Sequence, residues 1–194
     1  MKIIGITGAI GCGKTTVSKI VGNLGYEVFD ADYEVKKIYK NREFLCQLKN
    51  AFPRVFCGDI LDKQLLRKWV FSDQNKLLIL ENIIEPFLED IFLKMINSTA
   101  SRQGWLFIDA VLLFEKGWNK YCDKVICVDV DLEIQKSRVI KRDCISEKEF
   151  FDIYNLQMNN KKKCELSDIV LDTNCSIDDL KVKVKKILDE LKVS

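Results

Sequence analysis

Lys2-Ile3-Ile4-Gly5-Ile6-Thr7-Gly8-Ala9-Ile10-Gly11-Cys12-Gly13-Lys14-Thr15 decides the fold, because a short apolar strand runs directly into a GxxxxGK[ST] loop. Gly8, Gly11 and Gly13 let the backbone turn its N–H groups inward and come close to an anion. Lys14 is placed to reach the β- and γ-phosphates of a nucleotide, and Thr15 to offer its hydroxyl to Mg²⁺. A helix expected over about 14–24 aims its unpaired N–H groups and positive end at the same anion. The stretch predicts a protein that holds a nucleotide by its phosphates.

Downstream, Gly25 stands where a helix C-cap belongs, and the run 26–29 reads as a second strand ending in Asp30-Ala31-Asp32. From Tyr33 to about Asn97 the patterns are mostly helical. They include a helix over 62–71 with Asp62 as N-cap, and a long segment from about Asp73 that Pro86 should interrupt. Two compact apolar runs, 105–109 and 125–129, each end in Asp and suit strands covered on both faces. Helices follow over 131–142, with Arg138 and Arg142 one turn apart, and from Ser146, where Ser146-Glu147-Lys148-Glu149 spells a capping box. A last strand over 168–172 and an amphipathic helix over 177–191 complete the pattern. This alternation predicts an α/β fold with a parallel sheet flanked by helices, and ligands at the carboxyl ends of its strands.

The 194 residues carry a formal charge of only +2, with no basic tract interleaved with aromatics, so nucleic acid is not an expected partner. The first strand begins within two residues of Met1 and no apolar run is long enough to span a bilayer, which reads as a soluble, cytoplasmic protein. The eight cysteines contain no CxxC pair and read mostly as small hydrophobes. Cys12 is set apart by its place beside a helix N-terminus and Lys14, which predicts a depressed pKa and a reactive thiol. The absence of histidine removes Ser-His and Cys-His catalysis, so a general base is expected to be a carboxylate.

Asp32 is the leading candidate for that base, its alternative reading being the N-cap of the helix that follows; Asp30 is the second candidate, or a contact to Mg²⁺-bound water. Asp109, at the end of an apolar strand, suits a Walker-B-like carboxylate that holds Mg²⁺ or one that merely caps the strand, with Glu115 as an alternative polar contact. Arg138, Arg142 and Lys163 are candidates to neutralise a transferring phosphoryl group.

The blocks GITGAIGCGKTTVSKIVGNLGYEVFDADYEV, GDILDKQLLRKWVFSD, LENIIEPFLEDI, VLLFEKGW, DKVICVDVDLEIQKSRVIKRD and SDIVLDTN, with Gln157 ahead of Lys161-Lys162-Lys163, occur in the order found in dephospho-coenzyme A kinases, which this chain resembles over nearly its whole length. The resemblance implies a P-loop fold like that of nucleoside-monophosphate kinases. Its core would cover about 1–32, 103–135 and 167–194, with a helical substrate-binding insertion at about 33–102 and a lid at about 136–166. It implies transfer of the ATP γ-phosphoryl group, with Mg²⁺, to the ribose 3′-hydroxyl of dephospho-coenzyme A. On that reading Gly8, Ala9, Ile10, Gly11, Cys12, Gly13, Lys14, Thr15 and Thr16 hold ATP. Asp32, Lys14 and Arg142 are catalytic, and Asp30, Leu113, Glu115 and Lys163 join Asp32 at the substrate. The chain departs from the family pattern at Glu85, Val111 and Thr173, which stand for His, Pro and Asn; Asn174 becomes the candidate adenine contact. Two rivals are another small-molecule kinase, such as one for nucleoside monophosphates, and a GTP-hydrolysing switch, against which the lack of an NKxD motif argues.

Overall fold

The computed structural model describes residues 1–71, 73–99 and 104–193. In chain order the elements are β1 (Lys2–Thr7), α1 (Lys14–Asn23), β2 (Glu27–Asp30), α2 (Ala31–Ile38), α3 (Arg42–Ala51), β3 (Phe56–Cys57), β4 (Ile60–Leu61), α4 (Lys63–Phe71), α5 (Gln74–Thr99), β5 (Trp105–Asp109), β6 (Lys124–Asp129), α6 (Leu132–Asp143), α7 (Glu147–Tyr154), α8 (Asn160–Leu166), β7 (Ile169–Asp172) and α9 (Ile177–Val193). They form two compact units, one of Met1–Asp30 with Ser101–Ser194 and one of Ala31–Ala100.

The first unit is built on a five-stranded sheet in the order β2-β5-β1-β6-β7. Every neighbouring pair is parallel. β1 lies at its centre, and Ile4 and Ile6 are fully buried. Leu180, Val184, Leu188 and Leu191 recur at helical spacing on one stripe of α9 and join Val17, Ile20 and Val21 of α1 in a core with Ile4, Ile6, Phe107 and Val128. Each such side chain taken from water contributes about 1.5–3 kcal/mol, so the sheet is held between elements far apart in sequence. Because the strands share one direction, their carboxyl ends share one edge. Asp30 stands opposite Asp109, and Asp129 opposite Asp172. The edge is therefore lined with carboxylates.

The second unit packs α2, α3, α4 and α5 around Phe44, Leu48, Leu66, Val70 and Leu80. It is not wholly helical, since β3 and β4 form a two-stranded antiparallel ribbon whose turn passes through Gly58 at φ +61°. Asp62 caps α4 by accepting the N–H groups of Gln64 at 3.0 Å and Leu65 at 2.9 Å. Pro86 does not interrupt the long helix: α5 runs through it. The ring removes one backbone hydrogen bond, but Leu80, Ile83, Ile84, Phe87, Leu88 and Ile91, on either side, all pack into the core of the unit. That burial outweighs the local preference to break. Among the described residues no helix is long and apolar enough to cross a membrane.

Candidate functional site

The loop between β1 and α1 takes the conformation its glycines permit. Gly8 has φ +151°, and a Cβ there would lie 2.5 Å from the Val128 carbonyl oxygen. Gly11 has φ +83°, and a Cβ there would meet the Gln135 carbonyl oxygen at 2.7 Å. Both positions require glycine, because a side chain would be strained in φ and would strike backbone. The loop closes into α1 through Thr16 N–H and Val17 N–H, which donate to the Gly13 carbonyl oxygen at 2.9 and 3.2 Å. Among the described residues, the N–H groups of Gly11, Gly13, Lys14 and Thr15 meet no hydrogen-bond acceptor. Four unpaired donors at a helix N-terminus make an anion cradle.

Lys14 is buried and its ammonium forms an ion pair with Asp109 Oδ1. The other carboxylate oxygen, Oδ2, is buried without a hydrogen-bond partner, and so is the neighbouring Ser18 hydroxyl. Burial pushes the Asp109 carboxyl above its ordinary value; the Lys14 ammonium pulls it down, while Asp30 across the strand pair pushes it further up. Asp30 is half-buried on the same sheet edge. Asp32 lies in the first turn of α2, exposed, two residues along the chain from Asp30. The helix already begins at Ala31, so Asp32 is not its N-cap.

α6, α8 and β7 supply the supports of the loop. Arg138 donates from Nη1 to the Thr173 hydroxyl at 3.2 Å and to the Gly11 carbonyl at 3.5 Å, and from Nη2 to the Thr173 carbonyl at 3.1 Å. Thr173, buried, in turn donates to the Cys12 carbonyl at 2.6 Å. The residue that departs from the family's Asn thus braces the loop from beneath. Asn174 is exposed beyond it, its N–H donating to Asp172 Oδ1 at 2.9 Å. Arg142, one turn on from Arg138, is exposed and forks onto Asp143 with two hydrogen bonds of 2.8 Å.

One expectation requires correction. Cys12 is fully buried in the core under the loop, and burial, with the Asp129 charge adding to it, pushes its thiol up to about 12, opposite to the depressed value expected. Cys12 belongs to the core cluster that also holds Val17, Val128 and Leu180. Lys163, a candidate to neutralise a transferring phosphoryl group, is fully buried: it pairs with Glu115 at 3.0 Å and donates to the Val111 carbonyl. Its two lysine neighbours, Lys161 and Lys162, are exposed. Glu115 also accepts the Met158 N–H at 2.8 Å, and Leu113 is enclosed beside Gly5, so these three residues brace the turn after β5. Asn160, which carries no local sequence signal of its role, accepts the Ala9 N–H at 2.7 Å; Gln157 accepts that of Ile10 at 3.0 Å.

The family model for dephospho-CoA kinase matches residues 2–179. The chain is 36% identical over 193 residues to the dephospho-CoA kinase of Bartonella henselae, covering 98% of each chain. The crystal structure of TT1252 from Thermus thermophilus superposes with a TM-score of 0.82 at 33% identity, covering 98% of this chain and 97% of that one. The dephospho-CoA kinase from Campylobacter jejuni has a TM-score of 0.73 at 24% identity, covering 98% of each chain, and so shares the fold.

Proposed function

As the chain belongs to the dephospho-CoA kinase family, we propose that it transfers the γ-phosphoryl group of ATP to the ribose 3′-hydroxyl of dephospho-coenzyme A, giving coenzyme A and ADP. The observation that carries this reading in the molecule itself is the loop of unpaired N–H groups with Lys14 at its base, which suits a polyphosphate and little else.

Little covalent chemistry is asked of the protein, since phosphoryl transfer proceeds through a loose transition state that needs positioning and charge neutralisation. The loop amides and Lys14 bind the ATP phosphates. Asp32 accepts the proton of the 3′-hydroxyl; its exposure and the absence of any histidine in the chain support that role. Arg142, on the last turn of α6, brings a cation to the charge that spreads over the transferring group. Mg²⁺ fits the residues present, for Asp109 Oδ2 is a buried oxygen with no partner and the exposed Thr15, next to Lys14 in the loop motif, carries a hydroxyl. When bound with ATP it neutralises phosphate charge. Asn174 is the candidate contact to adenine, and the cytoplasm, where ATP is plentiful, is the location this chemistry suits.

A coupled ADP-release assay across dephospho-coenzyme A, AMP and other nucleoside monophosphates tests the reading. ADP release should depend on dephospho-coenzyme A; equal turnover with AMP and none with dephospho-coenzyme A would assign the chain a nucleoside-monophosphate substrate instead.

A further inference from the structure

We propose that Gln157 and Asn160 are positioning residues for the phosphate loop, whose side-chain oxygens hold its two leading N–H groups and fix its shape before nucleotide arrives. The inference rests on the reading of this loop as the ATP site.

Asn160 Oδ1 accepts from Ala9 N–H at 2.7 Å and Gln157 Oε1 from Ile10 N–H at 3.0 Å, so two consecutive loop amides are taken by a segment about 150 residues further along the chain. The remaining amides of the loop, those of Gly11, Gly13, Lys14 and Thr15, are left for a ligand. The orientation of the Asn160 amide follows from its neighbours. Its Nδ2 donates to Asp129 Oδ1 at 2.5 Å and to the Val128 carbonyl at 3.4 Å, and both of those atoms can only accept. The oxygen must then face Ala9. Asn160 is itself buried, which makes it a rigid post.

Gln157 is held differently. It sits in the link between α7 and α8, where the adjacent Met158 N–H donates to Glu115 at 2.8 Å, and Glu115 is locked by the buried Lys163. This explains why a fully buried lysine occurs in a basic cluster whose other members are solvated. The strut Lys163-Glu115 fixes the link, and the link presents Gln157 to the loop. A glycine-rich loop samples many conformations when unsupported, and ordering it on binding would weaken affinity. The two side chains remove that ordering step.

Gln157→Met tests the proposal, since it keeps the length of a half-buried side chain and deletes the acceptor; Asn160 is too deeply buried for its variants to separate loop shape from folding. Calorimetry without acceptor should show ATP and ADP binding each weakened about fivefold, the equivalent of one ordinary hydrogen bond. KM for ATP should rise in proportion, kcat at saturating ATP should stay within about twofold, KM for dephospho-coenzyme A should not move, and amide exchange at Ile10 should accelerate. Unchanged nucleotide affinity, or a fall in kcat with KM for ATP unaltered, would overturn it. Binding of ATP alone is read without the acceptor, so an inert dephospho-coenzyme A would overturn the proposed reaction and leave this result standing.

Discussion

Lys14 and Asp109 form a buried ion pair where the phosphate loop meets the end of β5, so the cation proposed to serve a nucleotide's phosphates is held by a carboxylate on the neighbouring strand. A nucleotide must replace one anionic partner with another. Removing Asp109 as Asp109→Asn leaves the ammonium buried without a counter-charge, a change that costs about 3 kcal/mol or more in comparable buried pairs. The nucleotide-free variant should melt at a lower temperature, and ATP without Mg²⁺ should raise its melting temperature by more than it raises that of the wild type. A smaller rise in the variant would show that Lys14 does not turn to the phosphates.

Asp32→Asn should reduce kcat by roughly 10²–10⁴ while ATP affinity stays within about twofold, because the shape is kept and the proton acceptor is lost. Asp30→Asn should do less. Asp30 faces Asp109 across the strand pair and pushes its carboxyl up, so its removal relieves a repulsion rather than deleting a reacting group. Turnover measurements in which Asp30→Asn is inactive and Asp32→Asn is near wild type would exchange the two roles.

Brief alkylation followed by mass mapping should label Cys46, Cys57 and Cys144, which are exposed, and leave Cys12 unlabelled with or without ATP. The Cys12 thiol, pushed up to about 12 by burial and by Asp129, holds a negligible thiolate fraction at neutral pH. Early labelling of Cys12, with protection by ATP, would mean that the loop opens and exposes it.

Asp168 joins β7 to β6, accepting the Val125 N–H at 2.8 Å and pairing with Lys124 at 2.8 Å. Burial raises its pKa, but the Lys124 and Val125 hydrogen bonds outweigh burial and hold the carboxyl below its ordinary 3.8. A carboxylate depressed in the folded state contributes stability above its unfolded value, and that contribution is lost as pH falls through the folded value. Melting temperatures should therefore separate wild type from Asp168→Asn at pH 5–7, with the wild type higher. The gap should close below about pH 4. A gap that persists into strong acid would locate the effect in packing rather than in charge.

Much of the fold was legible because its signals are local. The strand-loop-helix around Lys14, the Asp62 cap, the Ser146-Glu149 capping box and the strands ending in Asp109 and Asp129 are all set by neighbours within a few residues. The misreadings at Pro86 and Cys12, and the burial of Lys163, share the opposite property. Pro86 stays helical because residues from α2, α3 and α4 cover α5; Cys12 shares its core cluster with residues of β6 and α9; Lys163 is neutralised by Glu115, from a distant part of the chain. In each case the deciding contact comes from a distant segment that composition and spacing do not reveal. Asn160 escaped notice for the same reason, since its partner Ala9 lies at the other end of the sequence.

The most direct measurement is mass analysis of the products formed from ATP and dephospho-coenzyme A, run beside the 3′-deoxy analogue of that acceptor. The account predicts one coenzyme A per ADP, with the phosphoryl group on the ribose 3′-oxygen, and no phosphorylated product from the analogue. ADP release that is indifferent to dephospho-coenzyme A, or a phosphorylated 3′-deoxy analogue, would contradict it.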